Sequence, residues 1–201
     1  MNRHEAFSKM KSQIPGFSAE GVMGLLNEYV SAIPADRFYC EVGSFHGLTL
    51  VAALHGNGTR AISIDNFSEF GGKERDLQDS IARFALGERV RLLSHDFREA
   101  FSCGMIERSS IAVYFYDGAH DYTSQVEGLK LSEIYLADGA LVVVDDTNWE
   151  APRRATLEWV EQTGSELLMD IVTDDFNTSP FWNGIMVCRY RGHGRLSTER
   201  P

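Results

Sequence analysis

Asp117 and His120 stand three residues apart in Tyr116-Asp117-Gly118-Ala119-His120-Asp121-Tyr122, and a second acidic pair, Asp145-Asp146, stands in Val142-Val143-Val144-Asp145-Asp146-Thr147. Asp117, Asp145 and Asp146 offer the hard oxygen ligands that Mg²⁺ takes, and a cation held by them lowers the pKa of an acceptor hydroxyl and fixes its direction. Three acids brought together repel one another unless a cation or a basic group balances them. Between Ile111 and Thr147 the only lysine or arginine is Lys130, so a metal is the expected balance, with Arg153 and Arg154 as the alternative. An imidazole titrates near pH 6.5 and can take a proton from such a hydroxyl. His120 is therefore read as a general base. The other readings are that Asp117 is the base, that His120 is a metal ligand, or that it only packs against the following helix.

These residues converge only if the chain brings them together. Ile111 to Tyr116 runs into Asp117, and Ala140 to Val144 runs into Asp145. Continuous apolar runs of this length fit strands buried on both faces of a parallel sheet. Between them, Thr123 to Leu136 has helical spacing, with Val126, Leu129, Ile134 and Leu136 near one face. A strand, a helix and a second parallel strand put both acidic ends on the same sheet edge, in the crevice where open α/β sheets bind ligands.

The first strand, Phe38 to Val42, leads into Gly43-Ser44-Phe45-His46-Gly47 and a helix from Leu48 to Leu54. The position of the middle glycine of a dinucleotide loop holds Phe45, where a bulky residue keeps the backbone away from a pyrophosphate. A nicotinamide cofactor is disfavoured on that ground. Glu41 is placed to accept from an ammonium group, and Asp65, at the end of the second strand (Arg60 to Ile64), from ribose hydroxyls. An amino-acid tail and a ribose without phosphates describe S-adenosylmethionine. Cofactor contacts are expected from Glu41, Gly43, Ser44, Phe45, Gly47, Asp65, Asn66, His95, Asp96 and Asp117, with Asp96 accepting from the adenine amino group.

The remaining pattern alternates strand and helix. The expectation is an α/β, Rossmann-like, doubly wound and mostly parallel seven-stranded sheet, with an antiparallel last strand and N-terminal helices. N-terminal helices are expected over Ala6 to Ile33, broken at Pro15-Gly16, with Ser18 as a cap. Further helices are expected over Glu74 to Leu86 and from Pro152 to Thr163. The third strand is placed at Val90 to Ser94, and an antiparallel pair at Leu167 to Val172 and Gly184 to Tyr190. The reading is one domain over residues 1–201: a helical cap over 1–35, the core over 36–191 and a polar tail over 192–201. Trp149 and Trp182 lie on loops at the acidic edge, where they wall a substrate pocket or pack under the loops. Phe67 to Gly72 reads as a lid, and Asp174-Asp175 as a solvated turn.

The formal charge of −10 argues against nucleic acid as a partner, since phosphate needs a basic surface. No apolar stretch is long enough to span a membrane, and Cys40, Cys103 and Cys188 form neither a paired framework nor a metal cluster. The expected setting is cytoplasmic. The expected partner is a small hydroxylated molecule, with association of like chains left open.

Glu41-Val42-Gly43-Ser44-Phe45-His46-Gly47, the ribose acid Asp65, Asp117 and the Asp145-Asp146 pair resemble class I S-adenosylmethionine-dependent methyltransferases. More narrowly, they resemble the metal-dependent small-molecule O-methyltransferases. The two acidic motifs are similar to a bacterial branch that includes sugar O-methyltransferases and cephalosporin-hydroxylase-like proteins. The resemblance runs from about Phe38 to Val160. It implies Mg²⁺ and methylation of a small polyhydroxyl substrate such as a sugar or natural product. His120 departs from the lysine that catechol-type enzymes carry there. The competing readings are a metal-independent methyltransferase and a catalytically silent cofactor-binding domain that regulates or scaffolds an assembly.

Overall fold

The computed structural model describes residues 3–174 and 178–192. Five strands run parallel: β1 (Phe38–Val42), β2 (Arg60–Ile64), β3 (Val90–Leu93), β4 (Ile111–Tyr116) and β5 (Leu136–Asp145). With β6 (Glu166–Ile171) and β7 (Ile185–Arg189) they form one seven-stranded sheet in the order β3-β2-β1-β4-β5-β7-β6. β7 is antiparallel to both β5 and β6, as expected of the last strand. Strand order reverses between β1 and β4, which opens a crevice at their carboxyl ends.

The helices are α1 (Arg3–Gln13), α2 (Glu20–Ser31), α3 (Leu48–Leu54), α4 (Glu74–Arg83), α5 (Phe97–Ser102), α6 (Tyr122–Ser132) and α7 (Glu150–Thr163). Alternate strand residues feed two cores. Tyr39, Val113, Phe115 and Val143 pack with Phe7, Leu26 and Leu50 on one face. Cys40, Tyr114, Tyr116 and Val142 pack with Phe101, Leu129 and Trp159 on the other. Burial of both parities is why these strands are continuously apolar rather than alternating. Asn27 fixes α2 to α3 by donating to the carbonyls of Ala52, Ala53 and His55 at the end of α3. Among the described residues, no helix is long and apolar enough to cross a membrane.

Several local expectations are corrected. Ala19, not Ser18, caps α2, and the buried Ser18 hydroxyl makes no hydrogen bond. α4 stops at Arg83 because Ala85 turns left-handed, at φ 55°. α6 stops at Ser132, a single 3-10 turn spans Glu133–Tyr135, and Leu136 already begins β5. Its buried face is Ser124, Gln125, Gly128, Leu129 and Ser132, whereas Ile134 is exposed. Two tyrosines set that face. A Cβ on Gly128 would fall 2.1 Å from the Tyr116 ring, and Tyr114 and Tyr116 donate to the carbonyls of Gly128 and Ser124. The tail after Gly192 and Asp175 of the Asp174-Asp175 pair lie outside the described residues.

Candidate active site

The turn after β1 is built around backbone that only glycine tolerates. Gly43 has φ 89°, and a Cβ there would stand 1.9 Å from the carbonyl oxygen of Asp117. Its N–H donates to Ile64, while the N–H of Asp117 donates to Val42, so the ends of β1, β2 and β4 are joined at this point. Asp65 ties the turn from the other side. Its two carboxylate oxygens accept from the N–H groups of Phe45 at 2.7 Å and Phe67 at 2.6 Å. The Ser63 hydroxyl donates to that of Ser44 beneath them.

These elements wall a cavity of about 650 Å³ at the carboxyl edge of the sheet. Of the residues named from sequence, Gly43, Ser44, Phe45, Asp65, Asn66, His95, Asp96 and Asp117 line it. Asn66 and Asp96, like Asp65 and Ser44, have structural partners. Asn66 accepts from Ser68, and Asp96 caps α5 by accepting from the N–H of Arg98 and pairs with its guanidinium at 3.3 Å. Gly47 does not reach the cavity. It begins α3 at φ 88°, against Leu77.

Glu41 is a correction. Its position on β1 turns it under α3, to the same face as Tyr39, where it is fully buried and accepts from the hydroxyls of Tyr39 and Thr49. It does not line the cavity, so it is not placed to receive an ammonium group from it. Burial pushes its carboxyl up to about 7, and the hydrogen bonds from Tyr39, Thr49 and Ser44 hold it from rising further.

At the other end of the cavity, one ligand atom each from Asp117, His120 and Asp146 lies within 4.8 Å of the others. His120 Nε2 is 2.6 Å from Asp146 Oδ2 and 3.9 Å from Asp117 Oδ1. The 2.6 Å contact is not aligned as a hydrogen bond, and Nε2 is buried. Asp121 fixes the segment by capping α6, accepting from the N–H of Ser124 at 3.0 Å. Asp146 adopts φ 56°, a left-handed conformation costly for a residue with a side chain and concentrated at functional sites.

Asp145 is the second correction. Its carboxylate is buried, accepts from the N–H of Asp146 at 2.9 Å and does not line the cavity. β5 ends at Asp145 and Asp146 turns left-handed, and the pair divides: Asp146 lines the cavity and Asp145 does not. Burial, then the charge of Asp146, pushes Asp145 up to about 8. Burial, then the charges of Asp145 and Asp146, holds Asp117 well above the ordinary carboxylate range. Arg153 and Arg154, the alternative balance, are engaged elsewhere. Arg153 forms a two-pronged bridge to Asp170, and Arg154 pairs with Glu150 and Glu158 over the Tyr122 ring.

Aromatic side chains surround the opening. Trp149 is half exposed and meets the His120 ring edge-on at 4.9 Å, and Trp182 also lines the cavity. Phe17 stacks on Phe45 at 5.9 Å and stands 5.9 Å from Phe70. Phe17, Arg98, Asp121 and Ser124 line the cavity without having been expected from sequence. An exposed phenylalanine just after Pro15-Gly16 was the available signal for Phe17.

Residues 40–147, more than half of the chain, match a family described as a methyltransferase domain, and the chain belongs to that family. No curated protein matches the sequence. Among solved structures, a Corynebacterium glutamicum protein is similar with a TM-score of 0.69 at 16% identity, over 93% of this chain and 90% of its own. The O-methyltransferase TomG of Streptomyces achromogenes, involved in tomaymycin synthesis and solved with S-adenosylmethionine, gives 0.63 at 14% identity, over 96% and 91%. An O-methyltransferase from Bacillus cereus, solved with S-adenosylhomocysteine, gives 0.60 at 14% identity, over 94% and 89%. The shared feature at these identities is the Rossmann-like methyltransferase fold.

Proposed function

We propose that the chain is an S-adenosylmethionine-dependent O-methyltransferase acting on a small polyhydroxyl substrate such as a sugar or natural product, assisted by a divalent cation. The observation that carries this reading is the convergence of two half-sites on one cavity. The Gly43 turn and Asp65 form one end, and Asp117, His120 and Asp146 form the other.

Each Asp65 oxygen accepts one backbone N–H and keeps a lone pair for a ribose hydroxyl. The cofactor supplies the methyl group as an activated sulfonium. Asp117 and Asp146 would hold the cation, which the family resemblance gives as Mg²⁺ and which lowers the pKa of an acceptor hydroxyl beside it. Trp149, half exposed beside His120 and lining the cavity, would pack against the acceptor. A second reading, with His120 as base and no metal, draws on the close approach of His120 to Asp146, since a carboxylate orients an imidazole base.

Calorimetry with S-adenosylhomocysteine, followed by transfer of a labelled methyl group to a hydroxylated library with Mg²⁺ or EDTA, tests the proposal. Cofactor binding with EDTA-sensitive transfer is expected. Binding without transfer to any acceptor would favour a silent domain, and full transfer in EDTA the metal-free reading.

A further inference from the structure

Resting on the methyl-transfer reading, we propose that His120 is a metal ligand rather than the base, and that the site it completes with Asp117 and Asp146 takes a first-row transition cation in preference to Mg²⁺.

The geometry of Nε2 is the first argument. A base must present a free lone pair to the acceptor, but Nε2 is buried and faces Asp146 at 2.6 Å and Asp117 at 3.9 Å. Donors about 2.1 Å from a common metal stand about 3–4 Å apart, and these three atoms need only small shifts to close on one centre. The near contact with Asp146 is not a hydrogen bond. Two carboxylates and one imidazole nitrogen therefore crowd one point, close enough to ion-pair when the imidazole is protonated but with no aligned hydrogen bond between them.

The supports are independent of those distances. Trp149 packs edge-on against the imidazole and limits its rotation. The Asp121 cap fixes the backbone just after His120. Asp146 holds a left-handed backbone conformation while its side chain lines the cavity. Among the described residues, the nearby arginines are engaged with other carboxylates: Arg98 with Asp96 and Glu127, Arg153 with Asp170, and Arg154 with Glu150 and Glu158.

The donor set decides which cation fits. Mg²⁺ favours oxygen and gives up its waters reluctantly, whereas imidazole suits Mn²⁺, Fe²⁺, Co²⁺ and Zn²⁺ increasingly well. Replacing one carboxylate by an imidazole at a three-residue site moves it from the first class toward the second.

The test uses the full chain freed of metal by chelation. Co²⁺ binding is followed by visible absorption, and Mn²⁺ and Mg²⁺ binding by calorimetry, in wild type, His120→Ala and His120→Asn. Wild type is expected to bind Co²⁺ and Mn²⁺ at least about 10-fold more tightly than Mg²⁺. His120→Ala should weaken Co²⁺ binding about 10–100-fold and Mg²⁺ binding far less, and His120→Asn, with an oxygen donor, should narrow the preference. Equal affinity of wild type for all three cations, unaltered in both variants, would overturn the proposal and return His120 to the role of base. S-adenosylhomocysteine binding in EDTA is measured on the same samples. Its loss in wild type would defeat the methyltransferase reading, whereas its retention without the metal preference would defeat only this inference.

Discussion

Gly43 and Asp117 meet across the gap between β1 and β4, so closely that a single methyl group on Gly43 would stand 1.9 Å from the Asp117 carbonyl oxygen. The contact couples the turn that Gly43 opens to Asp117, both of which line the cavity. Gly43→Ala must therefore strain φ and push the two strand ends apart. A loss of about 2–4 kcal/mol is expected, read as a lower midpoint in urea unfolding. Surviving protein should lose both cofactor and metal affinity. Unchanged unfolding and binding would mean that the strand ends yield more easily than the packing implies.

Asp65 has two duties that substitution separates. Asp65→Ala removes the acceptor for Phe45 and Phe67 as well as the proposed ribose contact. S-adenosylhomocysteine affinity should fall by about 1.5–3 kcal/mol in calorimetry. Asp65→Asn keeps one carbonyl acceptor and should recover stability more than affinity. Equal recovery of both would assign Asp65 to the turn alone.

Glu41 should leave a mark on the pH dependence of stability. Its folded-state pKa, raised to about 7 by burial, lies above the ordinary value of 4.5. The stability it contributes is then fully present below pH 4.5 and lost as pH rises through 7, because the unfolded carboxyl ionises more readily. Wild-type stability should decline over that window by up to about 1.4 kcal/mol per pH unit from this group. Glu41→Gln should flatten the decline, raising Tm at pH 8 and changing it little at pH 5. Parallel Tm profiles for the two proteins would show that Glu41 stays ionised throughout.

Trp149 should govern the acceptor and not the cofactor. It is half exposed, packs beside His120 and lines the cavity. Trp149→Leu should raise KM for the acceptor about 10-fold, the scale of one lost stacking contact. S-adenosylhomocysteine affinity should stay within about 2-fold. A reverse pattern would place the tryptophan against the cofactor.

β4 and β5 were readable because burial on both faces writes long apolar runs, and three of the five parallel strands, β2, β4 and β5, stop on or beside an acid: Asp65, Asp117, Asp145. What was hidden depended on direction. Glu41 and Tyr39 share a face by the two-residue period, a sign available in the sequence but outweighed by the motif around Gly43. Which of Asp145 and Asp146 enters the cavity is set by the left-handed turn at Asp146, which no neighbouring glycine announces. α5 escaped notice because Phe97–Ser102 is only six residues long and its capping residue, Asp96, was assigned to adenine. β5 begins early because Leu136 pairs with Ile111 before Asp138-Gly139, a sequence that reads as a turn.

Asn148 has a consequence for how this scaffold can change. Its side-chain amide donates to the Thr173 carbonyl and accepts from the Thr173 N–H, while its own N–H donates to Asn183. The two ends of the segment between β6 and β7 are thus clipped to the residue that follows the acidic strand, whatever lies between them. A closed loop costs only slowly more as it lengthens, and held ends keep the strand register from slipping. Changes in sequence between these two anchors are therefore expected to leave the pairing of β6 with β7 in register.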